Sequence, residues 1–199
     1  MQINLLYCIF RAGTKIVYHL KNKTKMKKIG SLVIAIFLVL NTFAQKDAGH
    51  DEAIALVKAG MSKVAMDNCD EAIKDFNAAM QKDPKCLDAY LKRAFCYSKN
   101  GNFQAAIDDY TKVIELKPDN SYAYVSRGSA KNKLKMFKEA MADFDKALQL
   151  KPDDCEAYNN RGFAKKGLGD DDGACKDWHY SKKKGNDEAK IILQNNRCK

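Results

Sequence analysis

Seven cysteines, three histidines and a run of three aspartates (Asp170, Asp171, Asp172) are the groups in this 199-residue chain that could do chemistry. Thiols, imidazoles and carboxylates together suggest zinc, but a structural zinc site needs four ligands, usually at short local spacing. No two cysteines stand as C-x-x-C, and His19, His50 and His179 do not cluster with them. No metal and no cofactor are expected. Nucleophilic catalysis needs a base within hydrogen-bond reach of the nucleophile. No Ser/His/Asp or Cys/His set can be phased onto one face, and there is no glycine-rich phosphate loop, so enzymatic activity is not expected. The aspartate run precedes a helical segment, where carboxylates favour the helix dipole. His179 beside Trp178 is expected to belong to a cap. Arg93, Arg127 and Arg161 could form an anion site, but their strict period favours a role internal to a repeat.

The thiols point to a compartment. Cys8 lies near the start, and Cys69, Cys86, Cys96, Cys155, Cys175 and Cys198 follow residue 44. Six is an even number, and an oxidising environment would allow pairs. A leader pattern agrees with this. Met26, Lys27 and Lys28 form a short positive start, and Ile29 to Leu40 is apolar apart from Gly30 and Ser31. Thr42-Phe43-Ala44 places small residues three positions and one position before Gln45. That is the tripartite pattern of a secretory signal over 26–44, with cleavage expected after Ala44. A membrane span needs about 20 apolar residues, and this run is shorter. Membrane contact is expected only if the segment stays uncleaved. Residues 1–25 are expected to be a non-native upstream extension, with translation starting at Met26.

The leader also accounts for the charge. The chain carries 35 Lys and Arg against 25 Asp and Glu, a formal +10. Residues 1–44 hold seven of the basic residues and no acid, so the remainder carries 28 against 25, a formal +3. A nucleic-acid partner would require a strong basic patch, and none is expected. The roughly 155 residues that remain suit one domain able to bury about two-thirds of its surface.

The elements that must position these residues are set by a period. Pro84, Pro118 and Pro152 are 34 apart, as are Tyr90, Tyr124 and Tyr158. Ala72, Ala106, Ala140 and Ala174 keep the same step, and so do the aromatics Phe76, Tyr110, Phe144 and Trp178. A fixed period of this length means an array of supersecondary units. Within one unit, Phe137, Ala140, Met141, Phe144, Ala147 and Leu148 fall on one helical face. Gly60, Ala94, Gly128 and Gly162 let paired helices approach. Proline ends each second helix, and Gly101, Gly169 and Gly185 mark tight turns. The unit is a helical hairpin, which buries its faces only when stacked.

This pattern resembles the tetratricopeptide repeat family. Residues 87–120 supply Tyr90, Ala94, Tyr97, Gly101, Ala106, Tyr110 and Pro118. Residues 121–154 supply Tyr124, Gly128, Ala140, Phe144, Ala147 and Pro152, and residues 155–188 supply Tyr158, Gly162, Gly169, Ala174 and Trp178. Residues 53–86 are a weaker copy in which Leu56 replaces the aromatic. The resemblance implies an all-α, right-handed superhelix of about four hairpins over 53–188, after a short lead-in over 45–52. A capping helix and tail over 186–199 would close it. The ending, with Cys175 and Cys198, resembles that of exported bacterial members. Cys175 lies ten residues before Gly185, about 15 Å along a helix, and Cys198 thirteen after it, about 20 Å. A disulfide between them is allowed but not required, and free buried thiols are the alternative. Cys69 with Cys96 is a weaker candidate pair. Cys86 and Cys155 cannot be paired from sequence.

The family resemblance implies a concave groove lined by the second, fifth, ninth and twelfth residues of each first helix. These are Ile54, Val57, Met61 and Val64; Asp88, Leu91, Phe95 and Ser98; Tyr122, Val125, Ser129 and Asn132; and Glu156, Asn159, Phe163 and Lys166. Phe95, Tyr122 and Phe163 suit anchoring of a peptide. Some family members clamp a C-terminal carboxylate with Lys and Asn on successive first helices. Here the fifth positions hold no lysine, and Met61 and Phe95 replace asparagine at the first two ninth positions. The expected function is a non-enzymatic scaffold that binds a peptide or protein in the groove, in the periplasm or cell envelope. A structural subunit bound through its outer faces, and an enzyme or small-ligand protein with an unrecognised site, are the alternatives.

Overall fold

The computed structural model describes residues 48–196 and 198. The expected leader (26–44) and upstream extension (1–25) lie outside the described residues. Nine helices follow one another among the described residues, with no strand. They are α1 (48–65), α2 (Cys69–Lys82), α3 (Leu87–Lys99), α4 (Phe103–Leu116), α5 (Ser121–Lys133), α6 (Phe137–Leu150), α7 (Cys155–Gly167), α8 (Asp171–Lys183) and α9 (Asp187–Asn195). None is long and apolar enough to cross a membrane. From α2 onward each helix packs on the next, and α5 also meets α7. The described residues therefore form a superhelix of paired hairpins closed by a capping helix.

Local chemistry explains where helices start and stop. Asn68, Asn102, Asn120, Asp154, Asp170 and Asn186 each accept a hydrogen bond from a first-turn amide through the side chain. Such caps satisfy donors that have no partner within the helix. Cys86 and Met136 hold the equivalent place without a side-chain cap bond. Asp83, Lys117 and Lys151 end the second helices, and a proline follows each. At the hairpin tips the chain turns through a left-handed residue: Asp67, Gly101, Lys135 and Gly169, with Gly185 before the cap. Glycine is cheap there, but two of the five positions are filled by other residues. In all five tips the amide after the left-handed residue reaches back five positions, as in Met136 N–H to Lys131 O at 2.9 Å.

The core repeats with the sequence. Phe76, Tyr110, Phe144 and Trp178 are at most 2% exposed. Each faces a small residue on its partner helix. A Cβ built on Gly60 would stand 2.6 Å from Phe76 Cε1, and one on Gly128 2.7 Å from Phe144 Cε1; Gly162 faces the Trp178 indole just as closely. At the end of the array Ala174, Trp178 and Leu193 form one cluster, so α9 covers the last hairpin. The Cys175 and Cys198 sulfurs are bonded to one another, with their Cα atoms 5.5 Å apart.

Candidate peptide-binding groove

The helices α1, α3, α5 and α7 carry the positions expected to line the groove. The second and ninth positions of the repeats are exposed, Ser129 apart. Ile54, Met61, Phe95, Tyr122 and Phe163 are 38–52% exposed, a high value for large apolar side chains. Asp88 and Glu156 are exposed at the polar second positions, and Lys166 at a twelfth, while Ser129 is half-buried. Although Glu156 is solvent-exposed, partial desolvation by its surroundings first, then Asp154 and Glu188, holds its carboxyl above the usual carboxylate range. Phe163 stands edge-on to Trp178 at 5.4 Å, so this anchor is seated on the core aromatic of its own hairpin.

The fifth position behaves differently along the array. Val57 and Leu91 are half-buried and pack against core clusters. Val125 and Asn159 are buried, at 3% and 5% exposure, and so line the inside of the array instead of an open surface. The reason is packing: Val125 belongs to the cluster around Phe144, and the Asn159 carbonyl accepts the Trp178 Nε1 hydrogen at 3.1 Å. Asn132, at a twelfth position, donates from Nδ2 to the Asn160 carbonyl at 2.8 Å and ties α5 to α7. The Asn132 and Asn159 Oδ1 atoms are buried and accept no hydrogen bond from the protein. Tyr110 is buried in the core cluster of the second hairpin. Burial pushes its hydroxyl up to about 12, with Tyr122 adding to the shift and Ser126 and Ser98 opposing it by hydrogen bonding.

The arginine series is engaged by partners within the protein. Arg127 grips Asp143 with two bonds, Nε at 3.0 Å and Nη2 at 2.6 Å, and its Nη1 donates to Thr111 Oγ1 at 3.1 Å. Arg93 does the same with Asp109 and Asn77, and Arg161 with Asp177 and Asp145. Each guanidinium also lies over a tyrosine of its own helix: Tyr90 and Tyr97, Tyr124, or Tyr158. Every arginine thus joins its own hairpin to the preceding one. This geometry favours the repeat-internal role over the anion-site reading, because each guanidinium directs Nε, Nη1 and Nη2 to partners within the protein. Burial pushes the Asp109 carboxyl up against the pull of Arg93, whereas the bond to Asp109 holds Arg93 up. The two-pronged geometry at 2.6–2.7 Å identifies an ionised pair, because arginine keeps its proton in proteins.

Sequence reasoning missed the carboxylate half of this network. The signal was present: Asp75, Asp109, Asp143 and Asp177 are also 34 apart, and the last three lie 16 residues after an arginine. In the first copy Ala59 stands where the arginine would be, and Lys63 meets Asp75 at 2.7 Å. Lys131 and Lys165 add a second cation to Asp143 and Asp177 at 2.8 and 2.9 Å.

Away from the groove, a hollow beside the disulfide is lined by Asp171, Asp172, Lys176 and His179. Asp170 caps α8 through Gly173 N at 2.8 Å. Among the described residues no group of three or more His, Cys, Asp or Glu could hold a metal. The all-α solenoid is an architecture typical of non-catalytic interaction modules.

Two models described as tetratricopeptide repeat match the sequence, one over residues 87–120 and 121–154 and the other over 54–85. Together they take in half of the chain. Residues 155–188 fall outside the matched ranges but repeat the same hairpin, with its Arg161–Asp177 grip. A comparison with curated proteins gave no match. Among solved structures, a crystal structure of MamA aligns with TM-score 0.64 at 23% identity over 86% of this chain and 99% of its own. MamA from Desulfovibrio magneticus aligns at 0.64 and 18% identity over 68% of this chain and 76% of its own. The first tetratricopeptide domain of Spaghetti (RPAP3), bound to the HSP90 peptide SRMEEVD, aligns at 0.59 and 28% identity over 60% of this chain and 95% of its own. With the 34-residue hairpin geometry, these matches show that the chain belongs to the tetratricopeptide repeat family.

Proposed function

We propose that this protein is a non-enzymatic adaptor that holds a peptide or an exposed segment of a partner protein in its concave groove. The observation that carries this reading is the row of exposed apolar side chains on successive first helices: Ile54, Met61, Phe95, Tyr122 and Phe163. Apolar surface rimmed by polar residues marks interaction sites, and aromatic anchors dominate binding energy. The RPAP3 domain, which carries an HSP90 peptide, supports peptide binding as the mode. Its acidic tail is not the ligand class proposed here, because Val57, Leu91, Val125 and Asn159 supply no lysine for a terminal carboxylate. The proposed ligand is a segment with apolar or aromatic side chains at intervals.

We place the working protein outside the cytoplasm, in the periplasm or cell envelope, after removal of residues 26–44. The support is the leader pattern and the Cys175–Cys198 bond. An intact mass of the protein from its native cells tests this. A chain beginning at Gln45 is expected, and a peptide from residues 5–18 in that material would overturn it.

Binding is tested by cross-linked capture from intact cells, comparing wild type with Phe95→Ala/Tyr122→Ala. A partner captured by wild type and lost in the variant is the expected result. Equal capture by both would overturn groove binding. One observation favours a second reading, a structural subunit bound through its outer edge. Met66, Leu134 and Leu168 occupy one repeat position at the hairpin tips and are 71%, 41% and 46% exposed. On that reading Leu134→Ser/Leu168→Ser would abolish the capture that the groove variant retains.

A further inference from the structure

Two thiols meet at the seam between the first and second hairpins. Cys69 opens α2, and Cys96 lies in the last turn of α3. They are 4% and 0% exposed and share one packed cluster with Ala72 and Phe76. Polar contacts bracket them. Lys99 Nζ pairs with Asp67, and Asn100 Nδ2 donates to Asp70 Oδ1 at 2.8 Å. Residues on both sides of Cys69 are thereby tied to the residues that follow Cys96. Both are free thiols in the structure, and they pack together within that one cluster. Neither remaining cysteine competes for this place. Cys86 sits at the opposite end of α3 in a different cluster, about 15 Å away along the helix axis. Cys155 opens α7, two hairpins further on.

We infer that Cys69 and Cys96 form a second disulfide, which staples the first hairpin to the second. The oxidant is a disulfide of the glutathione class. One cysteine thiolate attacks a sulfur of glutathione disulfide and displaces a glutathione thiolate. The other cysteine thiolate then attacks the mixed disulfide and displaces the second glutathione. Two protein thiols are oxidised and one glutathione disulfide is reduced, and the two protons end on the two glutathione thiols.

Burial decides when the bond forms. Desolvation first, then the neighbouring Cys69, pushes Cys96 up to about 12. Exchange requires a thiolate and access to it, and the closed seam offers neither. The bond therefore forms while the hairpins assemble, and the packed seam then shields it from reductant. Phe95 precedes Cys96 in α3, so the staple also fixes one groove anchor against the first hairpin.

The test uses the full chain, unfolded with reductant and refolded across a series of reduced-to-oxidised glutathione ratios. The series extends until Cys175–Cys198 has closed. Samples are quenched with acid, alkylated in denaturant and mapped as peptides. The expected map shows a Cys69–Cys96 linked peptide, with Cys86 and Cys155 alkylated. Cys69→Ala should return Cys96 to the alkylated pool and lower the urea midpoint relative to the oxidised wild type. Alkylation of both Cys69 and Cys96 in chains that have closed Cys175–Cys198 would overturn the inference. So would a link from either to Cys86 or Cys155. If Cys69→Ala does not fold, the wild-type map alone decides.

Discussion

Replacing Gly128 by alanine sets two effects of opposite sign against each other. Alanine in a helix interior is favoured over glycine by about 1 kcal/mol. Against this, the new Cβ would lie 2.7, 2.9 and 3.1 Å from Cε1, Cζ and Cδ1 of Phe144. Ordinary carbon–carbon contact is about 3.5–4.0 Å, so α5 and the ring must separate by most of an ångström. Phe144 is fully buried, and overpacking of such a site costs about 1–3 kcal/mol. The net expectation is a loss of about 1 kcal/mol, or roughly 2–4 °C in Tm for a chain of this size. The second copy shows that the loss has a ceiling, since Ala94 faces a Tyr110 that is still only 2% exposed. The decisive assay is a double-mutant cycle by urea unfolding followed by circular dichroism, with the disulfides kept oxidised. In a Phe144→Leu background the contact is gone and helix preference remains, so Gly128→Ala should stabilise by about 1 kcal/mol. The expected coupling is thus about 2 kcal/mol, with a reversal of sign. Equal effects of Gly128→Ala in both backgrounds would refute the argument that close approach to the ring requires this glycine.

Three further expectations concern the network, a buried tyrosine and the cap. Arg93→Met should destabilise by about 3 kcal/mol, more than Arg127→Met at about 1–2 kcal/mol, because Lys131 still neutralises Asp143 while Tyr97 takes that position beside Asp109; denaturant midpoints compare the two. Tyr110 titrates higher folded than unfolded, so its contribution is complete below pH 10 and is lost as pH rises from 10 to 12. Stability measured by urea unfolding should fall over that window by about 2–3 kcal/mol in wild type, and Tyr110→Phe should flatten the fall. Cys198→Ala opens a link between residues 23 apart, which should cost about 3 kcal/mol of stability. Hydrogen exchange should then show α9 opening before the rest.

Much of the architecture was legible because a repeat reports each structural position several times. Proline, alanine, aromatic and small residue recur at fixed phase, and the helices follow them. Two features escaped for physical reasons. Asp67 and Lys135 adopt the same left-handed turn as Gly101 and Gly169, but their residue types do not announce it; the tip hydrogen bonds hold them there. The inward turn of Val125 and Asn159 depends on how closely α5 and α7 stack, and no single helix encodes that distance. The exposure of the apolar side chains at positions two and nine was legible, because helix geometry alone directs them away from the core. The aspartate partners of the arginines were visible as a fourth periodic series, and their charge complementarity identifies them in retrospect.

The arginine arrangement also carries information about length. Each guanidinium hands one donor backward to Asn77, Thr111 or Asp145, a series that continues at His179. The residue that would reach His179 from the next register is Asn195, and the first copy holds Ala59 where an arginine would reach backward. The connector is therefore missing at both margins of the array. Three links join four hairpins, and among the described residues neither margin carries a guanidinium placed to extend the series by a fourth.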